Sequence, residues 1–315
     1  VERLEDRLAP ALGYRIVDLN GNGLPDLEIL GDSRRQIVRV VDDPASNRTW
    51  ISFDKNGDGD FADRGEVRDE LLTTTFDVIQ VRLKAGRDVF EYHLVSGLSA
   101  GQRSLVILTG AGRDEVTLRL AGAVEAEAAF QATVWLGAGD DRFHGNLVIN
   151  SFGTAGRTEL QVHGGKGRDY IMLTRGLPSG ADSSTPLNPA EVAGQLILGL
   201  YGDAGRDRIQ VDFAVAGGFR LAEAGQLRLR VEGGTSHDSL LVSLRNTADS
   251  QGRYHLLLHG DRGNDLLSFG LFDESDGGVH FDNDGATLDG GRGRGDSGLL
   301  APGQNAPVLR LGLEN

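Results

Sequence analysis

Two short acidic stretches near the N-terminus carry the residues best suited to chemistry. They read DLNGNGLPD over 18–26 and DKNGDGDFADRGE over 54–66. In the first, Asp18, Asn20 and Asn22 place side-chain oxygens at positions 1, 3 and 5. Gly23 allows a sharp turn at position 6, Leu24 offers a carbonyl at 7, and Asp26 supplies a carboxylate at 9. In the second, Asp54, Asn56 and Asp58 take the same three places, Asp60 offers its carbonyl and Glu66 closes the stretch. Oxygen donors in this order suit a hard divalent cation such as Ca2+, which takes about six to eight of them at ~2.3–2.6 Å. The second stretch gathers Asp54, Asp58, Asp60, Asp63 and Glu66 with only Lys55 and Arg64 to offset them. Repulsion among those carboxylates is relieved by a bound cation. The plain alternative for both is a solvated turn made of good turn formers.

The flanks of both stretches alternate like strands. The first loop resembles the calcium loops between strands of FG-GAP-type repeats, and the second resembles the DxNxDG loop of the EF-hand type. These resemblances imply calcium held by the residues just named. Ile29 stands where a helical EF-hand has its bidentate Glu, and Glu66 falls one place late for that role. Only one FG-GAP-like copy is present, so a propeller does not follow.

The elements that must carry such loops show in the rest of the chain. LVILTGAGRDEVTLRL, 105–120, is an alternating apolar run, a glycine-rich turn closed by Asp, and a second alternating run. The alternation puts Val116, Leu118 and Leu120 on one face of a strand and Glu115, Thr117 and Arg119 on the other. The unit recurs, with closing aspartates at 88, 114, 141, 169, 207, 238, 265 and 296. A repeat of about 28 residues cannot bury its own apolar face, so the units must stack. Two clear strands and a weaker third per step predict an all-β, right-handed parallel β-helix with a small N-terminal hairpin region. An antiparallel β-sandwich, with the glycine turns as hairpin loops, is the alternative. The expected organisation is a leader remnant over 1–11, an N-terminal β region with the two loops over 12–70, and solenoid repeats over 71–315. An insertion at about 174–194 accounts for the longest step and is the excursion best placed to contact a ligand.

The glycine turns resemble the GGxGxD turns of RTX-type, haemolysin-like calcium-binding repeats. There, calcium sits between successive turns, on the closing Asp and turn carbonyls. Carried over, the best ligands are Asp169, Asp207 and Asp265, with Asp203 and Asp261 in the turns that add an acid. The period is longer than the nonapeptide, the first glycine is often lost, and Arg87, Arg113, Arg168 and Arg206 precede the closing Asp. Those arginines offer a second way to balance a stack of aspartates, through charge-assisted pairs. A further acidic stretch holds Asp273, Glu274, Asp276, Asp282, Asp284 and Asp289.

Formal net charge is −14 and the sequence pI is about 4.9, which disfavours nucleic acid and anionic membrane as partners and favours cations. Without cysteine there is no disulfide and no thiolate zinc site. No apolar run reaches the ~20 residues of a membrane span. The opening VERLEDRLAPA resembles the LEDR-type leader of many extracellular planctomycete proteins and implies export. HExxH and a Cys nucleophile are absent. The expected function is therefore a secreted calcium-binding solenoid with a structural, surface or adhesive role, meeting extracellular polysaccharide or matrix. The alternative is a β-helix polysaccharide lyase or glycoside hydrolase, for which Asp140, Asp141, Arg228 and Arg230 are weak hints.

Overall fold

Alternation along the chain becomes alternation across a wall. In strand Glu115–Leu120, Val116, Leu118 and Leu120 point inward and are buried, while Glu115 is exposed. The strand pairs in parallel, without register shift, with Val89–Leu94 on one side and Arg142–Val148 on the other. The computed structural model describes residues 12–73, 76–148, 152–176, 188–214, 218–247, 249–273, 280–292, 296–300 and 308–311. The 1–11 stretch and most of the 174–194 insertion lie outside them.

Each coil places one strand in each of two long sheets. Sheet A takes Gly101–Leu108, Ala128–Trp135, Arg157–Lys166, Gln195–Ala204, Gln226–Glu232 and Arg253–His259 in succession, all parallel. Sheet B takes Val89–Leu94, Glu115–Leu120, Arg142–Val148, Tyr170–Gly176, Arg208–Asp212, Ser239–Asn246 and Leu266–Asp273. A short third strand closes several coils, at Ala123–Val124, Gly153–Thr154, Ala190–Val192 and Phe219–Leu221. The protein is a parallel β-solenoid of about 7 turns with no α-helix among its described residues.

Registered pairing turns the sequence repeat into straight rows of core side chains. One inward row of sheet B is Val38, Phe90, Val116, Phe143, Ile171, Ile209, Leu240 and Leu267. All eight are buried, and such side chains each contribute roughly 1.5–3 kcal/mol when taken from water. One continuous apolar cluster runs from Leu12 to Leu288.

The N-terminal region belongs to the same body. Gly13–Val17 pairs antiparallel with Asp26–Leu30, which then joins sheet A in parallel beside Val78–Arg82. Ile37–Asp43, Arg48–Asp54 and Val67–Leu72 form an antiparallel meander, and Ile37–Asp43 joins sheet B beside Val89–Leu94. Inside this end, Arg103 Nε lies 2.9 Å from Asp42 Oδ2, which also accepts the Tyr92 hydroxyl at 2.7 Å. A buried pair of this kind fixes register more dependably than it adds stability.

The turns from sheet A to sheet B stack as closely as the strands. Ala85–Gly86 pairs with Ala111–Gly112, and bridges continue through Ala138 and Lys166. At Gly139 φ is +155°, and an added Cβ would fall 1.4 Å from the Gly112 carbonyl oxygen. Backbone lies on backbone there, so no side chain can move aside. Gly139→Ala is expected to cost about 3 kcal/mol or more, through strain and overpacking. Gly101→Ala has φ +77° but open space around it, and should cost only about 1–2 kcal/mol. Thermal unfolding of the three proteins checks this. Equal midpoints for the two variants would contradict the close stacking of the turns.

Candidate functional site

The two N-terminal loops fold into the same ring of hydrogen bonds despite their different lengths. In 18–26, Asp18 Oδ1 accepts the Gly21 N–H at 2.7 Å and Oδ2 accepts that of Gly23 at 3.0 Å. In 54–66, Asp54 Oδ1 accepts from Gly57 at 2.6 Å and Oδ2 from Gly59 at 2.7 Å. Asn20 and Asn56 each accept the N–H two residues on, as do Asn22 and Asp58. The closing acids are equivalent: Asp26 Oδ2 accepts the Leu19 N–H at 2.7 Å, and Glu66 Oε1 accepts the Lys55 N–H at 3.1 Å. Gly21, Gly23, Gly57 and Gly59 all have φ between +74° and +94°, which lets successive N–H groups face one carboxylate.

Each loop also recruits an acid outside the expected ligand set. Asn56 Nδ2 donates to Asp58 Oδ2 at 3.1 Å and to Asp63 Oδ2 at 2.7 Å. Asn22 Nδ2 donates to Asp77 Oδ2 at 2.9 Å. Asp63 was visible as part of the acidic run. Asp77 lies 55 residues from Asn22, on the approach to strand Val78–Arg82, and no local spacing could have signalled it. In kind, these donors fit a hard cation: all are carboxylate or amide oxygens, gathered around one short turn. Their carboxylates are turned onto N–H groups, and among the described residues no three His, Asp or Glu side chains converge as a metal cage.

The closing aspartates make a second, longer constellation. Each points into the solenoid, and its Oδ1 accepts the backbone N–H of the aspartate one coil earlier. Asp88 N–H donates to Asp114, Asp114 to Asp141, Asp141 to Asp169 and Asp169 to Asp207. Asp207 then donates to Asp238, Asp238 to Asp265 and Asp265 to Asp296, all at 2.7–2.8 Å. The Gln36 N–H caps the ladder on Asp88 Oδ1 at 2.9 Å. Asp296 is buried and completes the row.

All eight Oδ2 atoms are buried without a donor. Where the turn keeps its first glycine, Oδ2 packs against it. A Cβ at Gly164 would lie 2.7 Å from both Asp169 Oδ2 and the Gly202 carbonyl oxygen, and Gly202, Gly233 and Gly260 repeat this arrangement. Two oxygens therefore crowd the one glycine in each of these coils. Burial is the main cause that raises these groups: Asp88, Asp141 and Asp238 to about 7, Asp207 to about 8, and Asp169 and Asp265 to about 6. Asp114 is raised too, and neighbouring carboxylates add to the rise in most of the row. The amide bond to Oδ1 works in the opposite direction.

The turns therefore separate the residues that the RTX resemblance grouped. Asp169, Asp207 and Asp265 face inward, whereas Asp203 and Asp261 lie on the outside at φ +67° and +69°. Asp203 Oδ2 is 3.4 Å from His163 Nδ1, and Asp261 Oδ1 is 2.9 Å from His259 Nδ1. Oδ1 of the inward set is spent on an amide and Oδ2 is packed on glycine, inside the wall and apart from the outward acids. Arg87, Arg113, Arg168 and Arg206 are exposed; Arg87 and Arg113 line one depression with Asp88 and Asp114, while Arg168 pairs with the exposed Asp140 at 3.1 Å. Asp289 reaches His259 Nε2 at 3.5 Å, while the side chains of Asp273, Glu274, Asp276, Asp282 and Asp284 lie outside the described residues. Comparison with protein-family models, curated proteins and solved structures returns no match to this chain.

A raised carboxyl pKa sets the sign of the pH dependence. The folded ladder holds its protons more tightly than unfolded Asp near 3.9, so the unfolded chain binds fewer protons between about pH 4 and 8. The ladder's contribution is complete below about pH 4 and is lost as pH climbs through 6 to 8. The melting temperature should therefore rise on acidification from pH 8.5 to 5.5. Asp207→Asn keeps the acceptor for Asp169 N–H and supplies a permanent donor, so it should flatten that slope and cost nothing at pH 8.5. Asp207→Ala orphans a buried amide and should cost about 1–3 kcal/mol. A wild-type midpoint that rises with pH across this window would refute the protonated ladder.

Proposed function

We propose that this chain is a secreted, non-catalytic β-solenoid with a structural, surface or adhesive role, whose N-terminal cap is tightened by calcium. The observation that carries the calcium reading is the duplicated ring: two loops of different spacing, 18–26 and 54–66, bring a closing carboxylate back to the N–H at their second residue. Asp18, Asn20, Asn22, the Leu24 carbonyl and Asp26 would hold one ion. Asp54, Asn56, Asp58, the Asp60 carbonyl and Glu66 would hold the other. A bound cation would add positive charge at the centre of each ring, while Arg34, Arg35, Lys55 and Arg64 border the second loop from outside. Both loops join strands of the cap, so ordering them orders the first coil against the rest of the stack.

The non-catalytic reading is supported by where the acids go. The eight aspartates of the repeat are consumed inside the wall. On the outer face of sheet A, Glu159 and Glu232 are paired with Arg157 and Arg230. The export reading rests on the resemblance of the opening eleven residues. No helix is long and apolar enough to cross a membrane among the described residues. The scaffold's partner would then be an extracellular polysaccharide or matrix component.

Calorimetry in chelator and in excess calcium tests the cap. Saturation at 100 times Kd adds about 2.7 kcal/mol per site, which for 315 residues raises the midpoint by roughly 4 °C per site. Asp54→Asn together with Asp18→Asn should abolish the rise; each amide keeps only one acceptor for the two loop N–H groups, so the midpoint in chelator should also fall. Identical midpoints with and without millimolar calcium in the wild-type protein would dispose of the proposal.

A further inference from the structure

Sheet A carries a feature on its outer face that the cap and the ladder leave unused. Leu108, Trp135, His163, Tyr201, Glu232 and His259 form one outward row by registered pairing. Three of them stack: the Trp135 and His163 rings are 3.9 Å apart at 7°, and the His163 and Tyr201 rings are 4.6 Å apart at 11°. The stacked faces cover one another, so the row turns ring edges outward and leaves one unstacked face at each end, on Trp135, which is 45% exposed, and on Tyr201.

Beyond Tyr201 the wall is hollowed. Gly199 sits mid-strand in Gln195–Ala204, where glycine weakens a sheet and commonly marks a close approach by something else. Its backbone is outside the left-handed region, so the conformation does not demand glycine. The Tyr201 ring demands it: a Cβ at Gly199 would come within 2.9 Å of that ring. Tyr201 thus lies down on the sheet as one side of a depression of about 220 Å³, which Ile197, Arg228, Arg230 and His255 also line. Arg228 stands in register between Ile197 and His255, and Arg230 between Gly199 and Leu257. Arg230 is paired with Glu232, and Arg228 donates to Gln226 Oε1 at 3.2 Å.

The unstacked face of Tyr201 beside two guanidinium groups matches a saturated ring that carries an anion. The ring's C–H face packs on the aromatic, and Arg recognises a carboxylate or sulfate by paired N–H donors. Net charge of −14 repels polyanions from the protein as a whole, so affinity for one has to be local. We propose that the Tyr201–Arg228–Arg230 depression binds an acidic polysaccharide, one pyranose carboxylate or sulfate seated on Arg228. The proposal rests on the non-catalytic surface reading above and names its partner.

Affinity electrophoresis of the full chain in EDTA, through gels containing polygalacturonate, dextran sulfate or neutral dextran, tests it independently of calcium. Polygalacturonate or dextran sulfate should retard the protein, and whichever retards more identifies the anionic group. Neutral dextran should not. Arg228→Gln should weaken binding at least tenfold and Tyr201→Ala at least fivefold. Arg87→Gln with Arg113→Gln, at the distant turn edge, should change nothing. Absence of retardation by both polyanions, equal retardation of wild type and Arg228→Gln, or equal binding to neutral dextran would each overturn the assignment. Release of new reducing ends would instead overturn the non-catalytic reading and leave the binding site standing.

Discussion

The solenoid depends on one hydrogen bond made seven times over between aspartates of neighbouring coils. At the bend from sheet A to sheet B the chain leaves the regular ladder, and the N–H of the closing residue has no strand partner. The Oδ1 of the next coil's aspartate takes that place, from Asp114 beneath Asp88 through to Asp296 beneath Asp265. A buried amide left unbonded costs as much as a lost hydrogen bond, so every coil needs this side chain at this position. Each coil also needs the preceding bend to be narrow enough for the carboxyl to reach. The glycines supply that narrowness, by allowing backbone to rest directly on backbone.

The second oxygen of each carboxyl gives the row its chemical character. It is enclosed, lacks a donor and, in four coils, lies against the same glycine as a carbonyl. A row of ionised carboxylates one coil apart, ~4.8 Å, would oppose stacking. A proton removes the charge and adds the missing donor in one step. The turns are thus a structural spine, and the outward acids at 203 and 261 belong to a separate surface, each beside a histidine.

Ends and faces are where this architecture has freedom. An open solenoid end exposes unpaired strand edges and a cut core, and such edges invite association. The antiparallel strands of 13–72 cover that end while continuing both sheets. The two acidic loops sit within this cover, where holding them rigid bears on the whole first coil. Along the wall, inward rows are constrained by packing, whereas outward rows can vary without affecting the core. The stacked Trp135, His163 and Tyr201 and the hollow at Gly199 are permitted by that freedom, since nothing inside the solenoid requires them.

Much of this was legible in the residues. Period-2 alternation and the recurring aspartate determined the parallel stack, because a unit that cannot bury its own face must lean on its neighbours. The oxygen-rich pattern at 18–26 and 54–66 determined two turns folded around a leading aspartate, because position-1 carboxylates and following glycines bond locally. What the aspartates do was not legible. A GxGxD turn looks the same whether its carboxyl faces a metal outside or an amide inside, and only the coil-to-coil register decides which. The equivalence of Asp26 with Glu66, the arrival of Asp77 beside Asn22, and the meeting of Tyr201 with Arg228 are likewise products of tertiary structure. Each joins residues whose separation in the chain carries no signal until the coils are stacked.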